Sequence, residues 1–311
     1  MSIHYALTKI AIKLGPRNPL IAALIRRKCR QYGVEAVFGP AFLELQRSDC
    51  AMRISLRQFV YAPDLAQRFD LYFSPIEPTE SGGRRIVDYS TPAVQTYRRS
   101  GLQFELASHP EEDDVIEDYC RSYTPTAGDL VFDIGAHCGV SSYHLSKLVG
   151  PGGEVVAFEP DPLNHSILLR NIKRHHLKNV VPVNVAIASI DGDLPFHSEG
   201  TIGSGLARHS SRATVGSVQM VKCMTLKTAF SNWGDPALCK IDIEGAEVDV
   251  IASSLNWLRG SKTHFVLDTN HVQRGALTNL PIERLFRSIG YESFSDKSTG
   301  SMTTWASPPP S

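Results

Sequence analysis

The amino-acid sequence predicts an α/β protein whose main part is a mostly parallel sheet with a C-terminal antiparallel hairpin, preceded by a smaller α+β region. Three observations carry that prediction. From residue 111 onward, short apolar runs alternate with helical patterns, which calls for crossover connections and parallel strands. One of those runs ends in "FDIGAHCG", where Gly135 and Gly139 straddle a strand-to-helix turn. The chain closes on "YESFS", "DKSTGS" and "MTTWA", two strand-like runs around a Gly/Ser turn.

At the start, helical stretches are expected over Ile3–Leu14 and Leu20–Tyr32. Lys9, Lys13, Arg17, Arg26, Arg27, Lys28 and Arg30 fall there with no acid up to Tyr32. The plain reading is a solvated helix face; contact with a membrane surface is the alternative. The apolar run Leu20–Ile25 is far shorter than the roughly 20 residues a span needs. Pro16 and Pro19 precede it without a small-residue cleavage signal, so no secretory leader is expected. Strands are expected at Cys50–Tyr61, Phe69–Phe73 and Arg84–Tyr89, with "SPIEPTESGG" as a turn or linker before the last. This region, residues 1–110, is read as an accessory unit with possible acceptor or oligomer contacts, and it carries no nameable chemistry.

Residues 111–306 form the second expected unit, followed by a short tail at 307–311. "EEDDVIEDYCRSY" has acids first and apolar residues at helical spacing, matching the dipole of a helix N-terminus. Buried strands are expected at Leu130–Ile134, Glu154–Phe158, Val180–Ile187, Ala237–Ile241 and His264–Leu267. Helices are expected at Val140–Val149, Pro162–His175, Ala246–Trp257 and Ile282–Ser288. The terminal hairpin predicts one antiparallel edge strand.

Composition narrows the function. Lys plus Arg and Asp plus Glu are both 32, so no overall charge favours nucleic acid. Six cysteines are scattered without a CxxC pair, as expected of a reduced, cytoplasmic protein, and no residue spacing points to a dedicated metal site.

The chemistry concentrates at three strand ends. Gly135-x-x-x-Gly139 lacks the G-x-G-x-x-G spacing that cradles a pyrophosphate, although a glycine turn here lets backbone approach a ligand. Glu159 ends the next strand, 24 residues beyond Gly135, where a carboxylate can accept ribose hydroxyls; NAD would be served equally well. "CKIDIEGAEVDVI" places Asp242 at a strand end and Glu244 in the turn. Glu247 there reads as a complement to the helix dipole, and Lys240 as a residue pairing with an acid or reaching out of the sheet edge.

These segments together resemble the FkbM-type methyltransferase family of class I S-adenosylmethionine-dependent enzymes. The carriers, in order, are "GDLVFDIGAHCG", "VVAFEPDPLNHSILLRNI", "NVAIASIDGDLPF", "VKCMTLKTAF" and "CKIDIEGAEVDVI", spanning roughly residues 97 to 270 with the lead-in "YRRSGLQFELASHPEEDDVIEDY". The first 95 residues carry no such motif. The resemblance implies a Rossmann-like class I methyltransferase sheet and S-adenosylmethionine as cofactor. It implies that Asp133, Gly135, Ala136 and Gly139 hold the methionine portion, with His137 supporting the turn. Glu159 would take the ribose hydroxyls, Pro160 and Asp161 would edge the adenine, and Asn184 to Ala186 would complete its pocket; Asp242 would also face the cofactor.

Two departures stand out. The family shows an acid and then His two residues later after the fifth strand, whereas "LDTNH" has Asp268 and then His271, displaced by one. Lys227 replaces the acid usual after Leu226.

Methyl transfer needs alignment in a dry site, and an alcohol acceptor must also lose a proton to a carboxylate or His. Asp242 is the first candidate base, with Glu244, Asp268 and His271 behind it. The polar segment 201–216 is expected to close over a small-molecule acceptor, a sugar or natural-product hydroxyl. The alternatives are an NAD(P)-dependent oxidoreductase and a cofactor-binding protein without catalysis. The acceptor itself is not legible.

Overall fold

The computed structural model describes residues 11–109, 115–201, 203–207, 217–273, 276–297 and 301–309. They divide into two compact units on either side of residue 113. Within them no helix is long and apolar enough to cross a membrane. The expected helix over Ile3–Leu14 is described only for 11–14, and the acids at 111–114 lie outside the described residues.

In the first unit, the helix Pro19–Arg30 begins where the Asn18 side chain accepts from Leu20 N and Ile21 N, an N-cap reinforced by Pro19. It buries Ile21, Ala22, Ile25 and Cys29, and the exposed face keeps the basic residues. Seven strands follow: β1 Glu35–Phe38, β2 Phe42–Arg47, β3 Cys50–Ser55, β4 Thr79–Ser81, β5 Arg84–Tyr89, β6 Ala93–Thr96 and β7 Gln103–Leu106. The first five form one sheet in the order β1-β2-β3-β5-β4, and β6 pairs with β7.

Several expectations fail here for local reasons. The run Cys50–Tyr61 stops being a strand at Ser55, whose hydroxyl accepts from Arg57 N and starts a 3-10 helix, Leu56–Tyr61. Phe69–Phe73 is a helix that buries Phe69 and Phe73, two positions that a strand would also place on one face. The linker "SPIEPTESGG" supplies strand β4, and β1 and β2 escape the sequence reading altogether.

The second unit contains β8 Leu130–Ile134, β9 Glu154–Phe158, β10 Val180–Val183, β11 Ala186–Ile187, β12 Gly192–Ser198, β13 Gly205–Leu206, β14 Ser217–Met224, β15 Leu238–Ile241, β16 His264–Asp268, β17 Val272–Gln273, β18 Ala276–Leu277, β19 Glu292–Asp296 and β20 Thr303–Ser307. Its main sheet runs β10-β9-β8-β15-β16-β20-β19. The first five are parallel neighbours, and β20 is antiparallel to both β16 and β19. The reversed strand is therefore one place in from the edge. This is the mixed sheet the sequence predicts, with that one change.

Alternation along each strand fills both faces. Phe132, Ile134, Val156, Phe158 and Ile241 join one core, while Val131, Val155, Ala157, Leu238 and Val266 join the other. Helices Val140–Val149, Pro162–Arg174, Glu247–Leu258 and Asn279–Arg287 lie close to their expected spans. The single run expected at Val180–Ile187 breaks at Asn184, so β11 joins a separate sheet, β11-β14-β12-β13. Of the segment 201–216, only 201 and 203–207 are described.

Candidate functional site

β8 lies between β9 and β15, so the winding of the sheet reverses there and a crevice opens beyond the carboxyl ends of these strands. Two turns rim it. In the first, Gly135 N and Ala136 N both donate to Phe158 O at 3.0 Å, which draws the turn across β9. Gly135 and Gly139 have φ of +80° and +86°, and His137 between them is a non-glycine at +49°. A Cβ on Gly135 would stand 1.8 Å from the Asp242 carbonyl oxygen, and one on Gly139 would stand 2.5 Å from Leu168 Cδ1. The glycines thus let protein pack on protein: the first turn rests on the second. That differs from the expected reason, close approach of backbone to ligand.

Asp133 is fully buried and faces inward. Its Oδ2 accepts from Ser141 Oγ at 2.8 Å and Ser142 Oγ at 2.6 Å. Its Oδ1 lies 3.2 Å from Lys240 Nζ, and both side chains are almost wholly excluded from solvent. Register explains the meeting, since Asp133 and Lys240 are direct cross-strand partners on one face. Lys240 Nζ also donates to Gly135 O at 2.8 Å and sits 5.5 Å from the Tyr119 ring centroid. Asp133 is thus enclosed by protein groups, with an ammonium at one oxygen and two hydroxyls at the other. Lys240, read from sequence as pairing with an acid or reaching out of the sheet edge, does the first and is the central clamp of the glycine turn.

Glu159 is buried, and its two oxygens accept from His137 N at 2.9 Å and Asp161 N at 2.8 Å. Each oxygen keeps acceptor capacity for one hydroxyl, the donor set a ribose presents. Burial drives its pKa up to about 8; the Asp161 charge adds to this, and the N–H donors and Lys240 oppose it. Asp161 itself is consumed. Its Oδ1 caps the helix Pro162–Arg174, and its Oδ2 accepts from Ser198 Oγ, Gly200 N and Ser204 Oγ. Asn184 is exposed and donates through Nδ2 to Glu159 O at 2.8 Å and to the carbonyl of half-buried Pro160 at 3.2 Å, which braces this end of β9. Ala186 is buried in the core of the neighbouring sheet.

The second turn gathers a different set. Asp242 follows β15, Asp268 ends β16, Glu244 holds a left-handed backbone at φ +56°, and His271 lies beyond β16. His271 Nε2 is 3.9 Å from Asp242 Oδ1 and 3.5 Å from Glu244 Oε2; its Nδ1 is 3.1 Å from Glu247 Oε1 but out of line for a hydrogen bond. Asp268 accepts from Asn270 N at 3.0 Å and Ser301 Oγ at 2.9 Å. The sequence-predicted catalytic residues therefore do converge on one spot.

Their charges are poorly balanced. Burial, then repulsion from Asp268, holds Asp242 well above the usual carboxylate range. Burial raises Asp268 as well, against the pull of His271. At His271 burial disfavours the cation, but Glu247 and Glu244 overcome it and keep the imidazole protonated well above its ordinary value. Glu247 is lowered despite burial, because His271 and the N–H groups of Gly245 and its own turn stabilise the charge. Its Oε1 accepts from Ile243 N and Gly245 N, both at 3.1 Å, which fixes the turn that carries Asp242. Glu247 belongs to the site and was missed; its signal is an acid three residues after Glu244, which sequence alone cannot separate from a helix-dipole acid.

The family model described as "Methyltransferase FkbM domain" matches residues 133–292. No curated protein matches the chain. Among solved structures, methyltransferase FkbM from Methylobacillus flagellatus KT is similar at 14% identity, over 81% of this chain and 54% of that chain, with a TM-score of 0.43. Precorrin-6y C5,15-methyltransferase from Geobacter metallireducens GS-15 is similar at 16% identity, over 63% of this chain and 87% of that one, with a TM-score of 0.41. TYW2 from M. jannaschii in complex with AdoMet is similar at 16% identity, over 70% of this chain and 87% of that one, with a TM-score of 0.40.

Proposed function

The chain belongs to the FkbM methyltransferase-domain family, and from that premise we propose that it methylates a hydroxyl of a sugar or other natural-product small molecule. The cofactor is S-adenosylmethionine, which supplies a methyl group already activated on a sulfonium sulfur. Glu159 accepts the ribose hydroxyls, and the backbone of the 135–139 turn borders the rest.

One observation carries the choice of an oxygen acceptor: a carboxylate with elevated pKa, Asp242, stands at the crevice with its proton affinity set by burial and by Asp268. A hydroxyl must surrender its proton as the O–CH3 bond forms, and a base is most useful when its pKa approaches the working pH. Asp242 receives that proton. Glu244 and Asp268 raise its basicity, while Glu247 holds the turn at a fixed angle. The remaining contribution is alignment of the acceptor oxygen with the methyl carbon.

The test is a product screen with isotopically labelled cofactor against free sugars, glycosides and phenols, read by mass spectrometry. One methyl transferred to oxygen, and lost in Asp242→Asn, is the expected result. Methylation of carbon or nitrogen, or full turnover in the variant, would overturn the assignment.

A further inference from the structure

We propose that Asp242, Glu244 and His271 form a binding site for a divalent transition-metal ion of the Mn²⁺ type at the acceptor end of the crevice. A carboxylate oxygen from each acid and a ring nitrogen of His271 all lie within 4.8 Å of one another. Two of the separations are tighter: Nε2 is 3.5 Å from Glu244 Oε2 and 3.9 Å from Asp242 Oδ1. Donors bound about 2.1 Å from one ion stand roughly 3.0–3.5 Å apart, so the widest separation, up to 4.8 Å, would close by about 1 Å on binding.

A second observation points the same way. The His271 side chain is 9% exposed, yet its Nδ1 is buried without a hydrogen-bond partner among the described residues. Nε2 is aimed between the two carboxylates, and Nδ1 stands beside Glu247, whose own Oε2 is buried without a partner. A buried imidazole with one nitrogen beside a carboxylate and the other directed at two acids is the arrangement of a metal-ligating histidine with its supporting carboxylate.

The charge count agrees. Among the described residues, Asp242, Glu244 and Asp268 are offset by His271 and by the charge of Lys240, whose ammonium is itself held by Asp133 and the Gly135 carbonyl. A set of two carboxylates and one imidazole suits Mn²⁺ better than Mg²⁺, which takes oxygen ligands. Three protein ligands leave positions open for the acceptor oxygen. What the ion does rests on the methyl-transfer reading: it would bind and polarise the hydroxyl, whose proton would pass to the Asp242 oxygen that the ion leaves free. That the ion binds does not rest on it.

The experiment titrates Mn²⁺ into chelator-treated protein and follows loss of the free-ion paramagnetic resonance signal. One ion per chain is expected, with affinity at least about 10-fold weaker in Asp242→Asn, Glu244→Gln and His271→Gln. Glu159→Gln, aimed at the ribose contact, is expected to keep the wild-type Mn²⁺ affinity. Circular dichroism checks each variant's fold, and Glu244→Gln, at the most exposed of the three ligands, serves if His271→Gln does not fold. No binding, as for an imidazolium that neutralises the cluster by itself, overturns the proposal; so does binding that none of the three changes weakens. Calorimetry with S-adenosylhomocysteine separates the two readings. Site-dependent Mn²⁺ binding without cofactor binding supports the metal site and overturns methyl transfer, whereas cofactor binding with no Mn²⁺ binding does the reverse.

Discussion

Two aspartates mark adjacent strands of the same sheet and live in opposite electrostatic worlds. Asp133 on β8 is sealed, with an ammonium at one oxygen and two serine hydroxyls at the other. Asp242, just past β15, shares its surroundings with Glu244 and Asp268, which His271 and the charge of Lys240 offset only in part. Both are acids at or near a strand end, and sequence treats them alike. The difference teaches how to sort them: a buried charge matched by a dedicated partner serves the fold, and one crowded by like charges at a crevice is a candidate for chemistry.

The largest expected effect comes from breaking the sealed pair. Lys240→Met leaves Asp133 without its cation and the Gly135 carbonyl without its donor, at a cost of about 3–5 kcal/mol. Urea unfolding measures it, and an unchanged midpoint would contradict the clamp. Adding Asp133→Leu should recover most of the loss if the pair is structural, since matched apolar replacements of buried pairs are often tolerated.

Glu159 is an intermediate case, buried like Asp133 but hydrogen-bonded only to backbone N–H groups at its own carboxylate. Its folded value of about 8 lies above the ordinary 4.5, so the folded protein holds the proton more tightly than the unfolded chain. Stability from this group is fully present below pH 4.5 and is lost as pH rises toward 8, at up to about 1.4 kcal/mol per pH unit. Glu159→Gln should show a shallower decline across that window. Hydroxyl donors favour the charged form, so saturating S-adenosylhomocysteine should flatten the wild-type curve as well. Equal slopes in wild type and variant would break the assignment.

The architecture was largely legible because apolar strands buried on both faces leave an unambiguous trace; the helix Val140–Val149 coincides with its expected span. The charge relations were not. Asp133 and Lys240 meet through the register of non-consecutive strands, 107 positions apart, which no local pattern encodes. The displaced histidine has a local cause instead. Asp268 accepts from Asn270 N in a tight Asx turn, and the chain that follows brings the His271 ring back to Asp242. In the first unit, Phe69–Phe73 was misread because five residues of "FDLYF" satisfy either period.

At the open aspartate the expected effect falls on rate. Asp242→Asn keeps the shape and removes the basicity, so turnover should fall on the order of 100-fold while cofactor affinity survives. Thermal stability should hold or rise, because a charge facing other acids is removed. A variant that loses stability and keeps its rate would place Asp242 with the structural charges and erase the contrast.

The smallest effect probes whether Asp133 is sealed at all. Ser142 Oγ donates to its Oδ2 at 2.6 Å, and Ser141 donates to the same oxygen at 2.8 Å. Ser142→Ala removes one hydrogen bond to a charged acceptor, worth about 1.5 kcal/mol, and leaves the other in place. Chemical denaturation should register that loss while calorimetry finds S-adenosylhomocysteine bound as tightly as before. The family resemblance gives Asp133 the opposite role, a contact to the methionine portion of the cofactor. In that role, loosening its carboxylate would weaken cofactor binding with little change in stability. The two measurements on one conservative variant therefore decide whether the acid on β8 belongs to the fold or to the ligand.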